Sequence, residues 1–103
     1  MQFIVIAYDD TQEGTFQRRL AAREAHLKSG KEMFDKGRWL YGAAILNDEG
    51  KTIGSMVVCD FPSRKELEEQ WLKNDPYVIG EVWKKVSVNR AQVPPFFMDK
   101  QDD

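Results

Sequence analysis

The order in which strand-like and helix-like segments follow one another constrains this chain most. Gln2 to Tyr8 is a β-branched and aromatic run, apolar on both faces as a buried central strand is. After the polar turn at 9–14, residues 15–36 read as a helix. Phe16, Leu20, Leu27 and Phe34 recur at spacings of four and seven, which predicts one core-facing stripe. Glu24/Lys28, Lys28/Glu32 and Glu32/Lys36 set opposite charges one turn apart on the outer face. Gly37 suits a left-handed C-terminal cap. Residues 38–46 and 52–60 read as two strands joined by the turn Asn47-Asp48-Glu49-Gly50. Ser63 and Glu66 have the spacing of a capping box, and the helix they open buries Leu67 and Trp71. Asn74-Asp75-Pro76 ends that helix, and Asp75 before Pro76 starts a further turn running to Gly80. Residues 81–88 alternate as a last strand.

The order βαββαβ predicts a ferredoxin-like α+β domain. Right-handed crossovers put the first strand between the third and the last in an antiparallel sheet, with both helices on one face. Apolar side chains on the other face need a cover. In 103 residues the economical cover is a second copy, so a homodimer of the α+β barrel type is expected. The domain is predicted over 1–95 with a tail at 96–103. Val93-Pro94-Pro95-Phe96-Phe97-Met98 is too apolar to stand in water, and its two prolines argue against a regular helix. It is expected to strap the partner or the domain edge, while Asp102 and Asp103 form a solvated end.

Composition closes off other classes. With 15 basic and 17 acidic residues the net charge is −2, spread over both halves, which offers no footprint for nucleic acid or an anionic membrane. One Cys and one His exclude an internal disulfide framework and a Cys/His zinc site. There is no glycine-rich phosphate loop, so neither cofactor nor metal is expected. The opening run Phe3–Ala7 is too short for a membrane span and lacks the flanks of a signal peptide, which leaves a cytoplasmic location as the expectation.

Chemistry is sparse and therefore easy to enumerate. His26 is the sole imidazole, with Arg23 three residues earlier on the same helix. The pair suits a small anionic ligand; the bland alternative is a solvated helix shoulder. Asp75 before proline is a helix N-cap, yet one oxygen can cap while the carboxylate also orients an imidazole. An Asp–His pair fixes the tautomer and suits proton transfer near neutral pH. Cys59 reads as a buried, inert thiol, and Trp39, Trp71 and Trp83 as core or dimer mass. Gly42 and Gly54 inside strands mark a bulge or a close approach by a ligand or another backbone, and Ser55 either offers a hydroxyl to a pocket or is an exposed polar residue of the strand.

Taken together, Arg23-x-x-His26, Gly37, Gly42-Ala43, Gly54-Ser55, Asp75-Pro76-Tyr77 and Gly80 resemble the YCII-related (YciI-like) family of small bacterial proteins, over residues 1–95. The resemblance implies a ferredoxin-like fold in a dimeric α+β barrel. It also implies a pocket whose suspected active site is a His–Asp pair, here His26 and Asp75. The family often has Gly-Pro at Gly42-Ala43 and Phe at Tyr77, which in this chain adds a hydroxyl. The expected function is a cofactor-independent lyase or isomerase acting on a small cyclic or aromatic anion. His26 would be the acid/base and Asp75 its orienting partner. Arg23 would hold a carboxylate or phenolate, and Ser55 and Tyr77 would add hydrogen bonds. Two alternatives share the same features: a non-catalytic metabolite-binding or accessory module using that pocket, and an interaction protein using residues 93–98.

Overall fold

The computed structural model describes residues 1–98. Strand β1 (Gln2–Asp9) leads into helix α1 (Thr15–Asp35), and β2 (Trp39–Leu46) and β3 (Thr52–Asp60) form a hairpin. Helix α2 (Arg64–Gln70), a 3₁₀ turn (Leu72–Asn74) and the short helix α3 (Pro76–Ile79) cross back to β4 (Trp83–Ala91), and a single turn α4 (Pro95–Met98) follows. The antiparallel sheet runs β2-β3-β1-β4, so β1 lies in the middle as its two-sided apolarity requires. The fold is ferredoxin-like.

Local chemistry sets the element ends. Gly37 takes a φ of 76° after α1; its N–H donates to the Phe34 carbonyl and that of Arg38 to Met33, the two bonds of a Schellman cap. In the hairpin turn, the Asn47 side chain accepts from the Glu49 and Lys51 N–H groups. Ser63 Oγ caps α2 by accepting from the Glu66 N–H.

Register sorts the sheet by face. Phe3 opposes Cys59, and Val5 lies between Val57 and Val88. These side chains meet Phe61, Leu67, Trp71 and Val82 in the core between sheet and helices. On the other face Ile4, Ile6, Met56 and Val58 are only part-buried and Tyr41 is exposed, since nothing among the described residues covers them.

Two expectations fail. Phe16, Leu20, Leu27 and Phe34 do not face the core; all four are about half exposed. The inward positions of α1 are Thr15, Arg19, His26 and Gly30. Positions 15, 19 and 26 each precede an apolar residue by one, a rotation of about 100°. The helix turns its polar and small residues inward because Tyr77, Trp39 and Ser55 wait there, and its apolar stripe flanks the site instead. Second, the two prolines do not prevent the turn at Pro95–Met98. Proline is tolerated at the first helical positions, where no N–H donor is needed, and the Phe97 N–H donates to the Pro94 carbonyl. Phe96 and Phe97 are exposed. The expected solvated end at Asp102 and Asp103 lies outside the described residues.

Candidate active site

Asp75 is the hinge of the site. It is the N-cap of α3, where Pro76 supplies a preset first turn, and it is completely buried. Its Oδ1 accepts from the Tyr77 N–H at 2.8 Å and from His26 Nδ1 at 2.8 Å, and its Oδ2 accepts from Trp71 Nε1 at 2.8 Å. A carboxylate can only accept, so the proton between it and the imidazole sits on Nδ1. In the neutral ring Nε2 therefore holds the lone pair. Nε2 has no protein partner among the described residues, and His26 lines an open cavity of about 590 Å³, within the range of small-molecule sites.

Aromatic rings hold the imidazole flat. Tyr77 stacks on it with centroids 3.9 Å apart and planes 15° apart, and Trp83 meets it edge-on at 5.7 Å. Burial pushes the Tyr77 phenol above its ordinary range, against the pull of the Arg19 and Arg23 guanidiniums, which keeps it a neutral donor. Trp39 is the wall opposite Gly30. A Cβ at Gly30 would overlap the Trp39 ring, so only glycine lets α1 come this close.

All five expected residues meet here. Arg23, His26, Ser55 and Tyr77 line the cavity, and Asp75 stands directly behind His26. Arg23 is exposed, and among the described residues it makes no ion pair; it is a cation of the cavity rim. Gly42 lies on the cavity wall, and a side chain at Gly54 would strike the Ala7 carbonyl, the close approach that glycine in a strand signals.

Three participants escape the sequence reading. Arg19, two turns before His26, is buried, donates to both oxygens of Asp9 at 2.8 and 2.9 Å, and lies 4.6 Å from the Tyr77 ring. Asp9 itself has its carboxyl pushed above the ordinary range by burial, partly offset by Arg19. Trp71, expected as core mass, is also the donor that fixes Asp75; its spacing of four before Asp-Pro was the available signal. Cys59 matches its expectation: burial, with Asp60 adding, pushes the thiol to about 12, and it is unbridged. A broader hollow of about 900 Å³ between the loops at 10–17 and 47–53 holds neither imidazole nor thiol. Among the described residues no set of His, Cys, Asp and Glu is grouped to hold a metal, and no helix is long and apolar enough to cross a membrane.

A ferredoxin-like α+β domain with a His–Asp pair at the base of a small cavity is the class that fold and geometry define. The chain belongs to the YCII-related family, whose domain matches residues 1–92. It is 34% identical over 94 residues to Protein YciI of Escherichia coli O6:H1, an alignment covering 85% of this chain and 93% of that protein. Protein YciI of Shigella flexneri matches to the same extent. A similar solved structure is 5-chloro-2-hydroxyhydroquinone dehydrochlorinase (TftG) from Burkholderia phenoliruptrix AC1100, in complex with 2,5-dihydroxybenzoquinone. Its TM-score is 0.76 at 22% identity, over 93% of this chain and 98% of that one, which is a likeness of fold.

Proposed function

We propose that this chain is a cofactor-independent small-molecule enzyme in which His26 moves a proton on a small, oxygen-bearing cyclic or aromatic anion. One observation carries the reading: Asp75 holds Nδ1–H, while the lone pair of Nε2 is left without a protein partner at a cavity. Nε2 takes a proton from a ligand C–H or O–H, and the electron pair stays on the ligand as an enolate or phenolate. Arg23 and the hydroxyls of Ser55 and Tyr77 meet that oxygen. Asp75, desolvated and fixed by two further donors, stabilises the imidazolium. The imidazolium then returns the proton to another carbon, which is isomerisation. Alternatively, the electron pair expels a leaving group as an anion and the proton passes to solvent, which is elimination. Electrons balance in both without an oxidant or reductant.

The name of the fold neighbour supports the elimination branch, since dehydrochlorination is one, and its ligand supplies a probe. We take the working unit to be a homodimer closed over the uncovered sheet face and located in the cytoplasm. The apolar side chains of that face and the buried, unbridged Cys59 support this.

The test is deuterium exchange at the ring carbons of 2,5-dihydroxybenzoquinone in D₂O, followed by proton NMR; these C–H groups are vinylic, so the deuterated imidazolium first adds a deuteron to the carbon and Nε2 then removes the proton, restoring the ring. The chain should accelerate exchange, and His26→Ala and Asp75→Asn should each lose that acceleration while remaining folded. Full exchange in either variant contradicts the proposal. Binding without exchange, with affinity alone following pH, would make the protein a metabolite-binding module.

A further inference from the structure

Arg19 lines the cavity, where a ligand-binding cation would sit, yet the donors on both of its Nη nitrogens are taken. Both Nη1 protons go to Asp9, and Nη2 donates to Ser55 Oγ at 3.0 Å and, at 3.4 Å, to the Gly54 carbonyl. The guanidinium is clamped between the end of β1 and the start of β3. Ser55 is buried and lines the cavity. Its oxygen accepts from Arg19, and its own O–H has no acceptor among the described residues. A hydroxyl that accepts a charge-assisted bond is a stronger donor in turn, and the direction of its proton is restricted.

We infer that Arg19 is a positioning residue, locked by Asp9, that aims the Ser55 hydroxyl into the cavity as the donor for a ligand oxyanion. The inference rests on the reading of the cavity as an anion-accepting site. It assigns the anchoring of charge to two separate devices: Arg23 at the rim attracts the ligand, while the Asp9–Arg19–Ser55 relay fixes one of its oxygens. In this relay Arg19 acts on the ligand through Ser55.

A double-mutant cycle on the full chain separates this from a structural role. The probe is 2,5-dihydroxybenzoquinone, and the readout is quenching of tryptophan fluorescence, Trp39 being on the cavity wall. The variants are Ser55→Ala, the charge-balanced pair Arg19→Gln with Asp9→Asn, and all three changes together, each checked by circular dichroism and thermal midpoint. Ser55→Ala should weaken binding about tenfold, the size of one charge-assisted hydrogen bond. The Arg19/Asp9 pair should cost about the same with Ser55 present, and less than about twofold once Ser55 is alanine. Equal losses in both backgrounds, or no loss with Ser55 present, overturn the relay. Should the paired variant not fold, Arg19→Lys replaces it: the shorter side chain offers one nitrogen where Nη1 holds Asp9 and Nη2 holds Ser55, so the aim of the hydroxyl and with it the affinity should fall, and full affinity overturns the inference. A wild-type chain that leaves millimolar probe unbound rejects the anion site as well. Exchange lost in His26→Ala beside an additive cycle rejects the relay alone.

Discussion

Asp75 accepts from three N–H groups in a place closed to water, so its removal exposes three unmet donors at once. Asp75→Ala should cost about 3 kcal/mol in urea denaturation, combining a lost cap with orphaned buried donors; a loss under about 1 kcal/mol would show that the carboxylate does not organise α3 and Trp71. Tyr77 gives a pH prediction of definite sign. Its phenol value is raised by burial, so folding favours the neutral form. Its stabilising contribution is therefore complete below the ordinary value of about 10 and is lost as pH climbs through the raised value. The difference between the ultraviolet titrations of wild type and Tyr77→Phe should have its midpoint above about 10. Cys59, with its thiol pushed to about 12 inside the core, should resist iodoacetamide in the native state and react at the rate of unfolding. Rapid native alkylation would contradict its burial.

Helix α1 shows how far sequence reaches at the scale of elements. Its bounds and its cap at Gly37 were legible, because periodicity and glycine chemistry are local. Its facing was not: apolar periodicity assumes that the core claims Leu and Phe, whereas here the sheet side is claimed by Arg19, His26 and Gly30. A site placed between a helix and a sheet inverts the rule. Residue chemistry raised His26 and Asp75 as a possible pair, and the family's set of motifs singled it out, since 49 residues separate them and local pattern says nothing of their meeting. Asp9 and Arg19 were not, because their meeting depends on where β1 ends relative to the first turns of α1. Gly30 is the sharpest test of the close helix–sheet approach. Gly30→Ala gains helix propensity of up to about 1 kcal/mol, but it must move a Trp39 ring packed edge-on against Trp71. Overpacking of about 1–3 kcal/mol should win. The variant should show net destabilisation and altered tryptophan fluorescence; a stabilised protein would mean that Trp39 has room to swing.

For the molecule as a whole, one sheet face carries the core and the site while the other carries apolar side chains that no described residue covers. If a second copy closes that face, Ile6→Glu, central in β1, should turn a dimer into a monomer in sedimentation equilibrium at micromolar concentration, with the secondary structure retained. A wild-type chain that sediments as a monomer would reject the dimer. The nitrogen on which the chemistry of this site depends can be observed directly, because the sequence contains a single histidine. Nitrogen-15 NMR of the neutral imidazole distinguishes its two tautomers. His26 should carry its proton on Nδ1, Nε2 should be the bare nitrogen, and adding 2,5-dihydroxybenzoquinone should shift the Nε2 resonance. A proton on Nε2, or an Nε2 signal indifferent to saturating probe, would contradict His26 as the acid/base.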